Sequence, residues 1–245
     1  MKDLGLPEGI LACLFDLDGV VTKTAAVHAA AWKETFDAFL RDRDGEHFQP
    51  FDAHDYDEYV DGLPRADGVR TFLASRGIHL PEGTPDDPPD AATVHGLGNR
   101  KNELLLTRIR TQGAEPYDGT LRYIDAARAH GLRTAVVSSS ANTLDVLRSI
   151  DAEHLFDVRV DGVTARERGL PGKPRPDTFL AAARDLGVTA RQSAVFEDAL
   201  AGMDAGRAGG FGYVVGVDRV GQSDALYAHG ADIVVGDLAE LGGKE

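Results

Sequence analysis

Asp16-Leu17-Asp18-Gly19-Val20 places two carboxylates two residues apart, just after a short apolar run at residues 10–15. Alternate side chains of an extended chain share a face, so Asp16 and Asp18 can converge beyond the end of a strand. Gly19 allows a tight exit from that strand. Such a pair can hold a divalent metal, or divide the work of nucleophile and acid/base. Three other readings compete. Asp and Gly also build solvated turns. A calcium loop fails, because its fifth and twelfth positions would be Val20 and Val27. A phosphate-accepting receiver domain also groups acids beside a strand, but it is a single compact unit without a helical insert.

Three later segments add chemistry at strand ends. The run at 134–137 is followed by Ser138, Ser139 and Ser140 and then a helical pattern. Hydroxyls and free N–H groups at a helix start suit an oxyanion or phosphate, although serine is also an ordinary helix cap. In Gly172-Lys173-Pro174 the proline favours extended backbone at Lys173, a residue that is otherwise a solvated charge. The run at 194–196 ends in Glu197-Asp198, a second acidic pair, which would equally suit a helix N-terminus.

The elements that must position these residues alternate between strand and helix. Strand-like runs occupy 10–15, 134–137, 194–196, 213–217 and 232–235, and helical patterns occupy 120–130, 142–150, 177–186, 200–208 and 223–229. Gly131, Gly187 and Gly230 stand where helices end. This pattern predicts an α/β fold, a doubly wound parallel sheet of Rossmann-like type, with ligands beyond the carboxyl ends of its strands. Between the first strand and the rest, only helices are expected, at 24–41, 66–76 and 99–111. The expected organisation is a core of residues 1–23 and 116–245, with an inserted all-helical cap at 24–115.

Composition narrows the partners. The 245 residues carry a formal charge of -14, which argues against nucleic acid and against anionic membranes. A small anionic substrate remains compatible, because a metal and a few convergent cations reverse the local potential. Cys13, the lone cysteine, rules out an internal disulfide, fits a reducing compartment, and lies in an apolar run where a buried inert thiol is expected. Residues 1–9 lack the features of a signal peptide, and no segment approaches the roughly 18 apolar residues of a membrane span. A cytoplasmic monomer is the expectation, since a cap must move.

Taken in order, the four strand-end segments resemble the four motifs of the haloacid dehalogenase superfamily, over nearly the whole chain. The resemblance implies that Asp16 attacks phosphorus to form an aspartyl phosphate. Asp18 would act as general acid, then as base. Ser138 and Lys173 would hold the transferring group, and magnesium would bind Asp16, the Asp18 carbonyl and Asp198, assisted by Glu197.

The insert resembles the cap of β-phosphoglucomutase-like proteins. Thr24, His28 and Trp32 share one helical face at i, i+4 and i+8, which the resemblance turns toward substrate. Gly62 and Arg65 match a specificity loop whose arginine grips a distal phosphate. Lys101 and Asn102 match a pair near the sugar phosphate, and Ser140 and Asn142 match further distal-phosphate contacts. Packing is the alternative for Trp32, and a satisfied or surface histidine for His28. Three positions depart from the family pattern: Lys23 replaces aspartate, Asp61 replaces lysine, and Ala141 replaces lysine. Two cations are thus missing, and the charge swap suggests that Lys23 and Asp61 face each other when a cap closes.

The implied function is magnesium-dependent phosphoryl transfer on a small sugar phosphate, in the manner of β-phosphoglucomutase (β-glucose 1-phosphate to glucose 6-phosphate). A sugar-phosphate phosphatase is the alternative, since both share every core residue. A non-enzymatic phosphate-binding protein is disfavoured by intact Asp16, Asp18, Lys173 and Asp198.

Overall fold

A computed structural model of the chain describes residues 4–242. It divides into two compact units, Met1–Lys23 with Ala114–Glu245, and Thr24–Gly113. The second boundary therefore falls two residues before the expected one. Glu115 stays with the first unit because its carbonyl accepts the Lys23 N–H at 2.8 Å and its carboxylate pairs with the Lys23 ammonium at 3.1 Å. Close by, the Tyr117 N–H donates to the Val21 carbonyl at 2.9 Å, and Thr22 forms an antiparallel bridge with Pro116. The outgoing and returning chains are thereby tied together.

The first unit is built on six parallel strands: β1 (Ala12–Phe15), β2 (Arg133–Val137), β3 (Val158–Val160), β4 (Ser193–Glu197), β5 (Tyr213–Val217) and β6 (Ile233–Val235). Their order in the sheet is β3-β2-β1-β4-β5-β6. Short apolar runs form these strands because a parallel sheet is covered on both faces. Ala12 and Leu14 belong to one buried cluster with Val137, Val195 and Phe179. On alternate positions, Phe15 stacks on Phe196 at 4.5 Å between ring centroids and meets Tyr123 edge-on at 6.4 Å.

The second unit holds helices α1 (Ala25–Asp44), α2 (Ala53–Tyr59), α3 (Arg65–Ser75) and α4 (Val94–Gln112), with no strand among its described residues. Its core is aromatic: Trp32 stacks on Phe36 at 5.0 Å, and Phe36 lies 4.2 Å from Phe72. The helices of the first unit are α5 (Asp118–Ala129), α6 (Thr143–Ser149), α7 (Gly162–Arg168), α8 (Asp177–Asp185), α9 (Leu200–Ala208) and α10 (Ser223–Ala228).

Three elements escape the sequence pattern. The edge strand β3 has only three residues, too few for a period to register. Helix α2 is mostly polar and is held by a reciprocal cap between Asp52 and Asp55, with Asp55 also paired to Arg76 at 2.6 Å. Helix α7 is started by the Asp161 carboxylate, which accepts the N–H groups of Val163 and Thr164. No helix among the described residues is long and apolar enough to cross a membrane.

Candidate active site

The register of the sheet builds the site. Phe15 lies level with Val136 on one side and with Phe196 on the other. One residue further, Asp16 is therefore level with Val137 and Glu197, and Ser138 and Asp198 follow at the same edge. The chain crosses from β1 to β2 on one flank and returns through β4 on the other, which makes the ends of β1 and β4 the crevice of a doubly wound sheet.

Lys173 enters from the loop before α8, across a cis Lys173–Pro174 peptide. Its ammonium donates to Asp16 Oδ1 and Glu197 Oε1, and more distantly to the Val137 carbonyl at 3.3 Å. The aliphatic end of the side chain is enclosed, and Nζ lies 5.0 Å from the Phe179 ring centroid. Lys173 therefore spans the ends of three neighbouring strands at once.

Glu197 is wholly buried, and its other oxygen accepts the N–H groups of Asp198 and Ala199, both at 2.9 Å. Its two oxygens thus hold Lys173 and the turn into α9. Gly202 makes the room: a Cβ there would lie 1.8 Å from Glu197 Oε1. Gly19 has the same duty toward Asp198, since a Cβ would fall 1.7 Å from Asp198 Oδ2, and its φ of +86° also favours glycine. The turn is closed by the Gly19 N–H donating to the Thr22 carbonyl at 2.7 Å, and by the N–H groups of Val21 and Thr22 donating to the Leu17 carbonyl, both at 2.9 Å.

Asp16, Glu197 and Asp198 are all buried, and each offers a carboxylate oxygen within 4.8 Å of the others. Three carboxylates against one ammonium leave buried negative charge in excess, which a low-dielectric site tolerates poorly. The donors are hard oxygens, so the set is compatible with a divalent metal. Burial pushes the Asp16 carboxyl well above the usual range, reinforced by Glu197 and Asp18 and opposed by Lys173. For Lys173, burial disfavours the charge, but Asp16 and Glu197 outweigh it and hold the ammonium above its ordinary pKa. A divalent cation at the cluster would act with Lys173 to keep Asp16 ionised.

Asp18 is half-buried, lies outside the three-carboxylate group, and forms a bridge with Thr22. Ser138 is buried after β2; its N–H donates to the Val160 carbonyl at 3.0 Å, and its Oγ accepts the Ser140 N–H at 3.0 Å. Ser140 Oγ in turn accepts the Asn142 N–H at 3.2 Å, and Ala141 is exposed on this loop.

Two further residues touch the site that the sequence reading passed over. Arg219 Nε donates to the Gly19 carbonyl at 2.7 Å, and Gln222 Nε2 donates to the Asp198 carbonyl at 3.1 Å. Both lie after β5, a fourth strand end at the site, whose polar Asp218-Arg219…Gln222-Ser223 was the available signal.

Within the second unit, Thr24 is the buried residue that opens α1, and the His28 N–H donates to its carbonyl. Lys101 is buried, with Nζ 3.1 Å from His28 Nδ1 and 4.9 Å from the Trp32 ring centroid. Because a lysine ammonium only donates, this contact makes Nδ1 the acceptor and puts the ring proton of neutral His28 on Nε2. Asn102 is half-buried. Gly62 has φ +71°, and its N–H donates to Asp61 Oδ1 at 3.1 Å. Arg65 opens α3, and its stem lies against Gly98 of α4, where a Cβ would approach Arg65 Cγ to 3.3 Å.

A family model described as haloacid dehalogenase-like hydrolase matches residues 10–210. The chain is 58% identical, over 245 residues, to a β-phosphoglucomutase of Mycobacterium bovis, covering 97% of this chain and 94% of that one. It is 31% identical to a β-phosphoglucomutase of Bacillus subtilis, covering 94% and 91%. A crystal structure of β-phosphoglucomutase from Clostridium difficile shares the fold with a TM-score of 0.75, at 24% identity and covering 95% and 93%.

Proposed function

Because the chain belongs to the haloacid dehalogenase-like hydrolases, in their β-phosphoglucomutase-like group, we propose that it interconverts β-glucose 1-phosphate and glucose 6-phosphate through an aspartyl phosphate on Asp16. The observation that carries the chemistry is Lys173 joined to both Asp16 and Glu197 at the carboxyl end of the sheet. The choice of a mutase rests on the 58% identity to a β-phosphoglucomutase, which extends over cap and core alike.

In this reading an Asp16 carboxylate oxygen attacks phosphorus of a sugar bisphosphate. The phosphorus–oxygen bond to the sugar breaks as Asp18 gives its proton to the leaving oxygen. The phosphoryl group on Asp16 then passes to β-glucose 1-phosphate: the sugar's 6-hydroxyl attacks phosphorus, Asp18 takes up the proton, and the bond to Asp16 breaks to give the bisphosphate. The other phosphoryl group of that bisphosphate returns to Asp16 as glucose 6-phosphate leaves. Lys173 and Ser138 offer donors to the transferring oxygens, where charge is spread in the transition state. Magnesium, held by Asp16, Asp198 and the Asp18 carbonyl and assisted by Glu197, would supply further neutralisation of those oxygens when bound. Glu197 keeps Lys173 in place, since its own oxygens are already engaged.

For the cap we assign Thr24, His28, Trp32, Gly62, Arg65, Lys101 and Asn102 to substrate, with Ser140 and Asn142 on the core. Arg65 is the distal-phosphate grip, a task that suits the planar guanidinium. We also propose a cytoplasmic location, since a lone buried Cys13 fits a reducing compartment, and a monomer, since a cap must move.

Phosphorus NMR of the protein with β-glucose 1-phosphate, magnesium and a trace of sugar bisphosphate tests the reading. Appearance of glucose 6-phosphate supports the mutase. Release of inorganic phosphate alone would replace it with the phosphatase, which the missing cations at Asp61 and Ala141 make the alternative to beat.

A further inference from the structure

The loop after β5 performs no chemistry in the mechanism above, yet it grips both acidic turns of the site. It is wound around Asp218, whose Oδ1 accepts the N–H groups of Val220, Gly221 and Gln222 at 3.2, 2.7 and 2.9 Å and whose Oδ2 accepts the Ser223 hydroxyl. From this anchored turn Arg219 extends in two directions: Nε to the Gly19 carbonyl and Nη1 to the Gly236 carbonyl, each at 2.7 Å. The guanidinium carbon lies 3.5 Å from the Tyr117 ring centroid, a stacking contact that fixes its plane. Nη2 is buried and makes no hydrogen bond with the described residues, so the fold bears an unpaired donor to keep this cation in position. Gln222 meanwhile holds the Asp198 carbonyl.

We propose that Arg219, aided by Gln222, is a positioning residue that sets the gap between the nucleophile turn and the Asp198 turn, and through that gap the affinity of the site for its divalent cation. The two turns are in contact where Gly19 faces the Asp198 carboxylate with no space for a Cβ. Each turn is pinned by one carbonyl to the same rigid loop, so neither slides past the other without breaking a bond to Arg219 or Gln222. Arg219 acts through the backbone next to Asp18 and touches no reacting atom. Partners of this kind, one step behind the metal ligands, commonly change metal affinity or activity by about 10–100-fold when removed. The inference rests on the phosphoryl-transfer reading of the same site.

Calorimetric titration with Mn2+ or Mg2+, without substrate, separates the two. The expected result is that Arg219→Ala weakens metal binding by about 10-fold or more and Gln222→Ala by less. Arg219→Lys keeps the charge but lacks the two-pronged donor, so it restores only part of the loss. In turnover assays Arg219→Ala shifts the magnesium requirement upward while KM for the sugar phosphate stays near wild type. A folded Arg219→Ala that binds metal as wild type does overturns the proposal. If that variant fails to fold, wild-type affinity in both Arg219→Lys and Gln222→Ala overturns it, as does a wild type that binds neither metal. A wild type that binds metal but converts no sugar phosphate would overturn the proposed function alone, because the calorimetric comparison is made without substrate.

Discussion

The core and the cap hold their candidate site residues by different means. In the core, Asp16, Ser138, Lys173, Glu197 and Asp198 are all buried; strand register sets the backbones of Asp16, Ser138, Glu197 and Asp198, and Lys173 reaches them from the loop before α8. In the cap, His28, Gly62, Arg65 and Asn102 are half-buried; His28 and Asn102 stand on helices, Arg65 at a helix start and Gly62 in the turn before it. Of the candidate site residues in the cap, Thr24, Trp32 and Lys101 are buried. Residues at strand ends of a packed sheet have little room to change, whereas helix-surface residues can be exchanged with modest effect on folding.

Substitutions can break or sharpen that contrast. The largest effect belongs to the core. Asp16→Asn should abolish phosphoenzyme formation in acid-quench labelling, while Asp18→Asn, which still supports metal binding, should lose about 10²–10⁴-fold in turnover. Near-normal turnover in Asp18→Asn would remove it from the mechanism. Next comes Arg65→Ala, expected to lower kcat/KM for the sugar phosphate by about 10–100-fold, the range of one hydrogen-bonded charge. It should leave labelling of Asp16 by a small donor such as acetyl phosphate nearly intact, and equal losses with both donors would erase the distinction between core and cap.

Third, Gly202→Ala forces a methyl group into the Glu197 carboxylate, so overpacking should cost about 1–3 kcal/mol and lower the melting temperature by several degrees. An alanine at an exposed site such as Gly131, where nothing lies within 4 Å, should not crowd any neighbour, although its φ of +78° still strains a side chain. Comparing the two melting curves separates packing from backbone strain. The smallest effect is at Cys13, whose thiol is pushed up by burial. It should resist thiol reagents at pH 8 in the native protein and react only in denaturant, and rapid native labelling would contradict the packed β1.

Much of the core was readable from local pattern. Three apolar runs each ended in residues able to do chemistry, at Asp16, Ser138 and Glu197-Asp198, whereas Lys173 follows the helix α7 and was marked only by its proline. The pattern failed where elements are short or polar. β3 has three residues, and α2 carries two tyrosines among acids and a histidine, so neither presents a period. The Asp52 and Asp55 pair that caps α2 was a legible signal that the hydrophobic pattern obscured.

By itself the sequence determined the class of chemistry and the residues at its centre, because an acidic turn with the nucleophile, a serine, a lysine and a second acidic turn, in this order, are local features of three strand ends and one loop. Tertiary structure decided who holds whom. Lys173 reaches Asp16 across 157 positions of chain, and Arg219 reaches Gly19 across 200. It also decided that Glu197 serves Lys173 and the start of α9, and that Gly19 and Gly202 are glycines because carboxylates occupy the space a Cβ would need. Those relations come from the order of strands in the sheet, and no run of neighbouring residues encodes a contact that only the sheet brings together.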